Sequence, residues 1–373
     1  MTAFLYFLAR NEPISCNNLS FMSRKDTYSE KTLDEILQYL HFNPNSSRSD
    51  IEAHLTNLPS LATLKRILAG AIKNNLILSS GKGRASRYSI TPKAHLLMSF
   101  DVDAYFKEEI DERIVQTSFN FDLIDKLLPS IDIFSDLEQN ELSHLQQAFT
   151  ANIAKLAQQE YDEEMERLGI DLSWKSSQIE GNTYSLLETE RLLKERQEAK
   201  GKTREEAIML LNHKAALRFI LDTPDYLNSL SVSAIEDIHS ILVRDLNVNR
   251  NIRTNRVGIT GTNYRPLDND FQIKEAMQSA CSLVNSRKSV FEKALLSLLL
   301  ISYIQPFADG NKRTARIVSN ALLIANKSCP LSFRTVDSID YKKAMLVFYE
   351  QNNITPFKKI FIEQFKFAVE NYF

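Results

Sequence analysis

Residues 305–316 bring together the residue types that bind a phosphate chain, in the order Q-P-F-A-D-G-N-K-R-T-A-R. Gly310 stands where a loop enters a helix, and the N–H groups at a helix N-terminus bind anions. Arg313 and Arg316 are three residues apart, so on a helix they share one face and could clamp phosphates. Asp309 could hold a Mg²⁺ ion that bridges those phosphates. The spacing therefore predicts a phosphate site, and a polar loop with surface arginines is the alternative.

Two predicted helices must position this segment. Residues 294–304 form an almost unbroken apolar run, and residues 317–325 continue with a helical pattern. A short loop between two buried helices is the natural arrangement, with Phe307 anchored in the core. The sequence therefore predicts a helical domain around this loop.

The same residues resemble the signature loop of the Fic (Doc-related) family, H-P-F-x-[D/E]-G-N-[G/K]-R-x-x-R. Every position matches except the first, where Gln305 replaces the histidine. In the family, that histidine is the general base that takes a proton from a target hydroxyl as it attacks the α-phosphate of ATP. Glutamine has no titratable group that accepts a proton near neutral pH, so it cannot act as this base. The substitution is either natural or introduced to trap a bound state.

The resemblance implies ATP and Mg²⁺ as cofactors, and transfer of AMP to a Ser, Thr or Tyr hydroxyl of an unknown target protein. By the same resemblance, Asp309 holds the metal and Lys312 lends positive charge nearby. The residues implied to bind the phosphates are Gly310, Asn311, Arg313 and Arg316.

A second stretch, residues 173–182, resembles the inhibitory-helix motif S-x-x-x-E-G of the family. Ser176 and Glu180 are four residues apart on one helical face, and Gly181 is expected to cap the helix in the left-handed conformation. The resemblance implies that Glu180 pairs with Arg316 and blocks the γ-phosphate subsite, because a carboxylate competes for the guanidinium. A glutamate that merely ends a helix is the alternative.

Residues 253–266, R-T-N-R-V-G-I-T-G-T-N-Y-R-P, alternate in a way that predicts a short β-hairpin in an otherwise helical region. They resemble the flap of the family, which holds the backbone of the target protein by strand addition. The residues expected to do so are Val257, Gly258, Ile259 and Thr260. An ordinary hairpin that packs over the loop is the alternative.

The histidines offer no obvious replacement for the missing base. None of the six lies near residues 305–316 in the sequence, although the fold could bring one closer. His213 and His239 lie in predicted helices among apolar residues. We expect both to be hydrogen-bonded core or interface residues rather than ligands.

The N-terminal part of the chain has a different pattern. Residues 32–40, a segment from about Ser49 and a segment capped by Ser60 show helical features, and residues 76–79 and 87–90 are predicted as short strands around a glycine turn. This order of elements resembles a winged helix-turn-helix domain.

The charge of this region favours contact with phosphates. Between Ala53 and Phe100 there is no acidic residue, and the cations are Lys65, Arg66, Lys73, Lys82, Arg84, Arg87 and Lys93. By analogy with winged helices, Lys65 and Arg66 on the third helix would face the groove of DNA, and Arg84 and Arg87 on the wing would contact its backbone. A module that docks a protein or forms a homodimer is the alternative.

The composition fits a chain of two or more domains. Of 373 residues, 43% are apolar and 25% charged, which is ordinary for a globular protein, and the small numbers of Gly (9) and Pro (10) favour a mainly α fold. We predict an arm at residues 1–30, a winged helix-turn-helix at 31–98 and a linker or hinge at 99–136, where acidic residues dominate 101–112. Residues 137–373 are predicted as an all-helical Fic domain with a small β-hairpin flap.

Three cysteines show no metal-binding spacing, and the sequence shows neither a signal peptide nor a run long enough to span a membrane. The expected location is therefore the cytoplasm, without membrane contact. The leading functional expectation is a Fic-type protein adenylyltransferase that Glu180 inhibits and Gln305 leaves very slow or inert. The alternative is a nucleotide-sensing transcription regulator that binds DNA through the winged helix. Removal of AMP, with Glu180 orienting a water molecule, is a third possibility.

Overall fold

The computed structural model describes the backbone of residues 27–373 and the side chains of residues 31–373. The described residues divide into two compact units, with the boundary between Ser99 and Phe100. The mainly α prediction is confirmed, since the only strands of the described residues are β1 (Ile77–Ser80) and β2 (Arg87–Ile90). The α-helices of the described residues are α1 (Thr27–Phe42), α2 (Arg48–His54), α3 (Leu61–Lys73), α4 (Pro92–Leu97), α5 (Val102–Tyr105), α6 (Asp136–Ile153), α7 (Gln158–Ile179), α8 (Leu186–Glu195), α9 (Arg204–Asp222), α10 (Val232–Leu242), α11 (Asp270–Ser286), α12 (Val290–Ile304), α13 (Asn311–Ala325), α14 (Ser338–Gln351) and α15 (Thr355–Tyr372). Of these helices, none is both long and apolar enough to cross a membrane.

In the first unit, three helices and an antiparallel hairpin follow one another in the predicted order. Ser47 and Ser60 are the N-caps of α2 and α3, and Ser60 Oγ accepts a hydrogen bond from Thr63 N at 3.2 Å. β1 pairs with β2 so that Ile77 lies opposite Ile90. The apolar faces of α1, α2 and α3 share a core that includes Ile36, Leu37, Leu40, Ile51, Leu64 and Ile67. The winged-helix assignment and its contact with DNA stay predictions.

The arm predicted at residues 1–30 is described only in part. Residues 1–26 lie outside the described residues, and residues 27–30 form the first turn of α1.

The segment predicted as a linker, residues 99–136, differs from that expectation. From Phe100 onward it belongs to the second unit. The physical reason is its apolar content: Phe119 stacks on Tyr303 with ring centroids 4.8 Å apart, and Leu128 is fully buried. An acidic stretch thus precedes a segment that packs into the core.

The centre of the second unit is formed by α12 and α13, which pack against each other. Nearly all of α12 is buried, as expected for a helix that is apolar all round. Tyr303 near its end and Phe307 just beyond it are fully buried. Helices α7, α9, α10 and α14 surround this pair. The hairpin of buried helices that residues 294–325 predicted is therefore present.

Helix α7 and the residue that follows it place Ser176 and Glu180 beside Arg316 of α13. Helix α7 follows α6 after a short break, since α6 ends at Ile153 and α7 begins at Gln158. After the end of α7, Gly181 has a left-handed backbone with φ 99°, as predicted. Trp174, the only tryptophan of the sequence, donates from Nε1 to the carbonyl of Tyr184 at 3.1 Å across the turn that follows α7.

The flap, residues 253–266, is not the predicted β-hairpin. Within residues 27–373 the only paired strands are β1 and β2, and the flap is extended chain with a turn at its tip. A buried guanidinium takes the place of a strand ladder, because Arg253 donates to the carbonyl groups of Asn255 and Leu267 and thereby joins the two limbs. Alternation of side chains indicates extended backbone but does not reveal whether a partner strand pairs with it.

Candidate functional site

The signature loop, residues 305–316, begins where α12 ends. Gln305 has a left-handed backbone with φ 52°, and so does Gly310 with φ 80°, so the chain turns twice before α13 starts. The side chain of Asn311 closes the loop: its Oδ1 accepts from Phe307 N and its Nδ2 donates to Phe307 O, each at 2.8 Å. The loop is therefore held by bonds within itself and anchored through a buried ring.

Both ends of the Gln305 amide are hydrogen-bonded inside the loop. Nε2 donates to Ser302 O at 2.7 Å, and Oε1 accepts from Asn311 Nδ2 at 2.9 Å. The residue is 8% exposed. A neutral amide in this setting can shape the loop, but it cannot take up a proton near neutral pH.

Arg316 is fully buried and is held by residues of α7 and its end. Its Nε donates to Ser176 Oγ at 2.8 Å, and its Nη2 donates to Ser176 O at 3.0 Å and to Glu180 Oε1 at 2.8 Å. The guanidinium carbon also lies 5.2 Å from the ring centroid of Tyr341. A buried charge requires such partners, because its desolvation would otherwise be costly.

Glu180 lies between two cations. Its Oε2 is 3.5 Å from Lys312 Nζ, in addition to the bond from Arg316, and its side chain is 20% exposed. Burial opposes ionisation, but Arg316 and then Lys312 outweigh it and hold the pKa of Glu180 below its ordinary value of 4.5. Glu180 is therefore an anion at neutral pH.

Asp309 and Arg313 form a second ion pair at the start of α13. Arg313 Nη2 lies 3.1 Å from Asp309 Oδ2, and Gly310 N donates to Asp309 Oδ1 at 2.6 Å. The arginine side chain is 2% exposed, whereas the aspartate side chain is 67% exposed. Within the described part of the chain, Nη1 of Arg313 is buried and has no hydrogen-bond partner. The pair thus joins the solvent-exposed carboxylate of Asp309 to the buried guanidinium of Arg313, whose Nη1 is left without a hydrogen-bond partner among the described residues.

Two buried histidines support these residues. His213 Nε2 and Ser176 Oγ are 2.7 Å apart, and burial, with Arg316 adding to it, places the pKa of His213 well below 6.5. His239 stacks on Phe307 with ring centroids 3.7 Å apart. As expected from the sequence, both are hydrogen-bonded core residues.

The fold does bring one histidine to the loop, a placement that no feature of the sequence indicated. His239 Nε2 lies 3.0 Å from Asp309 O, and its Nδ1 lies 3.0 Å from Arg250 O. Because each ring nitrogen faces a backbone carbonyl, neither is available to a substrate, and burial lowers the pKa of His239. His239 therefore supports the loop and presents no free ring nitrogen to the cavity.

A cavity of about 410 Å³ opens over the loop. The flap lines it with Val257, Gly258, Ile259 and Thr260, and the opposite side comes from α14 with Tyr341, Lys342, Met345, Leu346 and Tyr349. The other lining residues include Ile179, Glu180, Gln305, Asp309, Gly310, Asn311 and Lys312.

Most of the predicted site residues therefore meet around one cavity. Ser176, Arg313 and Arg316 are buried and do not line it. The predicted DNA contacts belong to the first unit, where each side chain is exposed, and are Lys65, Arg66, Arg84 and Arg87.

The fold and this loop agree with a comparison against protein families. Residues 229–323 match the model of the Fic/DOC family, so the chain contains a Fic/DOC family domain. The matched segment runs from before α10 to within α13 and includes the flap and the signature loop.

Related proteins carry the same family name. The chain is 28% identical to the protein adenylyltransferase Fic of Nematostella vectensis over 180 residues, which are 44% of this chain and 40% of that protein. It is 29% identical to the protein adenylyltransferase Fic of Aedes aegypti over 153 residues, 39% of this chain and 30% of the relative. The chain thus spans less than half the length of these relatives.

Solved structures show the same fold at low identity. Fic-1 from C. elegans aligns with a TM-score of 0.55 at 20% identity, over 63% of this chain and 72% of that chain. A Fic domain containing signaling protein from Bacteroides thetaiotaomicron aligns with a TM-score of 0.52 at 19% identity, over 62% and 94% of the two chains.

Proposed function

We propose that the second unit is a nucleotide-binding Fic domain of the adenylyltransferase type, built to transfer AMP from ATP to a protein hydroxyl and inactive as it stands. The contact that carries this proposal is the 2.8 Å ion pair between Glu180 and Arg316. It occupies a buried arginine at the end of the signature loop with a carboxylate from another helix. The names of the relatives support the reaction type.

The proposed phosphate contacts come from the start of α13. Gly310 and Asn311 stand at the N-terminus of α13, where backbone N–H groups favour anions, although Gly310 N donates to Asp309 Oδ1 in this structure. Lys312 adds a cation at the cavity wall. The free Nη1 of Arg313 is a buried donor of the kind that an anionic ligand would satisfy. These groups suit a polyphosphate better than a neutral ligand.

Asp309 fits the proposed Mg²⁺ site. Its carboxylate is exposed at the cavity, and Mg²⁺ commonly takes one or two carboxylates together with phosphates and water. Within residues 27–373 no group of three or more His, Cys, Asp or Glu could hold a metal. The ion would therefore depend on the nucleotide for further ligands, and it would supply charge neutralisation along the phosphates.

The inactive state has two proposed causes. Glu180 competes with the terminal phosphate for Arg316, since a charge-assisted bond already occupies that guanidinium. Gln305 stands at the position of the general base and cannot accept the proton of a target hydroxyl. The flap residues 257–260 would present the target by pairing with its backbone.

Calorimetry with Mg²⁺ and ATP tests the nucleotide proposal. Glu180→Gly frees Arg316, so we expect roughly tenfold tighter binding than in the parent, which is about 1.4 kcal/mol. Glu180→Gln removes the charge but keeps the shape, and should fall between the two. Glu190→Gly, which removes a surface glutamate of α8 paired with Lys194, is the matched control and should bind like the parent. Equal affinities in the parent and Glu180→Gly would disprove the competition.

The first unit supports a second candidate function, a DNA-binding regulator that uses the second unit as its ligand switch. The observation that favours it is the run of exposed cations on α3 and around the hairpin, Lys65, Arg66, Lys82, Arg84 and Arg87. No acidic residue interrupts this run between Ala53 and Phe100. Such a surface suits a polyanion.

A further inference from the structure

The segment before the buried Phe119 contacts both walls of the cavity in the second unit. We call residues 101–118 the strap; it consists of α5, turns over most of residues 106–113, and irregular chain that ends in an isolated bridge at Ser118. The strap was expected to be part of a linker, and neither the signature motif nor the inhibitory motif includes it. Its contacts concentrate on two places, the second limb of the flap and the end of α14.

On the flap side, the strap binds the limb that follows the turn. Arg113 Nη2 donates to Gly261 O at 2.7 Å. Asn263 Nδ2 donates to Asp111 Oδ1 at 3.0 Å, and Arg265 N donates to Thr117 O at 2.9 Å. The first limb, which lines the cavity, is joined to the second through this turn.

On the helix side, the strap binds Glu350 near the end of α14. Arg113 Nη2 lies 3.2 Å from Glu350 Oε1, and Tyr105 OH donates to Glu350 Oε2 at 2.6 Å. Gln116 N donates to Glu350 O at 2.9 Å. Because α14 forms the wall opposite the flap, Arg113 connects both walls of the cavity through one guanidinium.

The connection is buried, so the loss of either partner is costly. The side chains of Arg113 and Glu350 are 5% and 0% exposed, and the guanidinium carbon of Arg113 lies 4.8 Å from the ring centroid of Phe106. Loss of one partner of a buried ion pair leaves the other uncompensated. The flap, in contrast, has no strand ladder of its own within the described residues, so its position depends on contacts such as these.

We propose that Arg113 is a positioning residue of the flap: Arg253 ties the first limb to the carbonyl of Gln305, and Arg113 fixes the second limb against α14, so that together they set the geometry in which a target segment is held over the nucleotide. This role in target binding rests on the proposed function, whereas the bracing of the flap does not. Arg113 touches none of the residues proposed to bind phosphates. Its loss therefore affects capture of the acceptor and leaves nucleotide affinity unchanged.

Limited trypsin digestion of the full chain tests the bracing directly. Arg256 in the flap has a side chain that is 85% exposed, so cleavage after it reports how often the flap opens. We expect Arg113→Ala to raise this cleavage rate roughly tenfold at a temperature far below melting, because local opening governs proteolysis. The matched control is Arg287→Ala, since Arg287 also joins a buried glutamate, Glu292 at 3.5 Å, to the carbonyl of Ile131 but lies away from the flap.

Equal cleavage after Arg256 in Arg113→Ala and Arg287→Ala would overturn the proposal. If Arg113→Ala does not fold, Arg113→Lys serves instead, because it keeps a positive charge beside Glu350 but loses the planar guanidinium that reaches Gly261 O and Glu350 together. The proposal expects faster cleavage after Arg256 in this variant too, and an unchanged rate there would contradict it.

A second measurement addresses positioning of the acceptor. The background is the Gln305→His, Glu180→Gly variant, with the chain itself as the acceptor of AMP. In this background, Arg113→Ala should lower the rate of AMP labelling roughly tenfold, which corresponds to about 1.4 kcal/mol. The affinity for ATP, measured by calorimetry, should stay the same. A parallel loss of ATP affinity would assign Arg113 a general structural role. Absence of labelling in the background itself would count against the proposed function and would leave the proteolysis result to decide on the flap.

Discussion

In the proposed function, residue 305 affects the transfer of AMP and not the binding of the nucleotide. The amide of Gln305 bonds to Ser302 O and to Asn311, and Asn311 in turn holds Phe307. Gln305 therefore helps to keep the loop closed, and its side chain has no titratable group. A loop that retains its donors without a base can bind a nucleotide and still fail to activate a hydroxyl.

Labelling by ATP tests this consequence. Since a general base contributes about 10²–10⁴-fold, we expect the parent to show no auto-labelling above background with radiolabelled ATP. The Gln305→His, Glu180→Gly variant should recover labelling, and Glu180→Gly alone should bind nucleotide without being labelled. Robust labelling of the parent would mean that another group removes the proton.

Single residues of the site were predictable where a motif fixed their spacing. The pairing of Glu180 with Arg316 joins residues far apart in sequence, and the structure contains the contact that the motif implied. The stacking of His239 on Phe307 had no such signal, because a helix with one histidine and apolar neighbours is compatible with many packings. Likewise, nothing in the sequence connected Arg113 with Glu350.

At the scale of elements, the pattern of apolar residues predicted secondary structure best in segments that are completely buried. The apolar run before Gln305 correctly predicted where α12 ends, because a helix that is apolar on every side must be buried. The flap failed as a hairpin, since Arg253 replaces cross-strand bonds that alternation alone had suggested. The segment 99–136 failed as a linker because its acidic beginning concealed the apolar residues that follow.

Helix α1 makes a pH-dependent contribution to the first unit. Burial, and then the neighbouring His95, lowers the pKa of His41 from 6.5 to about 4. As pH falls from 6.5 toward 4, the unfolded chain binds this proton before the folded one does, so folding stability decreases over that range. Intrinsic amide exchange slows as pH falls, so we expect the ratio of the observed to the intrinsic exchange rate of buried amides in α3 to show an extra acceleration between pH 7 and pH 5.

The histidine itself can be tested by substitution in the full chain. His41→Phe should remove most of this extra acceleration, because no proton can then be bound at that position. His144→Phe, a histidine of the second unit, is the control and should behave like the parent. An identical pH response in His41→Phe and the parent would show that another group is responsible.

At the scale of the whole molecule, charge distinguishes the two units more clearly than composition does. The formal net charge of the chain is −2, which indicates no partner. The distribution of the charge is more informative, since no acidic residue lies between Ala53 and Phe100 and most of the cations there are exposed, namely Lys65, Arg66, Lys73, Lys82, Arg84 and Arg87. An acid-free stretch that carries several cations suggests that DNA binding and nucleotide binding belong to different parts of one chain.

Binding to duplex DNA at two salt concentrations checks this separation. We expect weak binding that decreases as salt rises, because each neutralised phosphate releases counterions, and little change when ATP is added. A Lys65→Ala, Arg66→Ala variant should bind more weakly and with a smaller salt slope. Lys359→Ala, a surface change in α15, is the control.

The same experiment distinguishes the regulator from the enzyme. Binding that changes with ATP would support the regulator, since a ligand shifts an equilibrium only through different affinities for the two states. No binding at low salt would remove that function and leave the first unit as a docking module.

The position of Trp174 near the end of α7 has a consequence for the fluorescence of the protein. Trp174 is the sole indole of the chain, and its hydrogen bond to Tyr184 spans the turn that contains Glu180. If a nucleotide displaces Glu180 from Arg316 by moving this turn, we expect the polarity around the indole to change with it. Intrinsic emission from a single, uniquely assigned fluorophore would therefore follow the opening of the site in real time, without a dye or an engineered label.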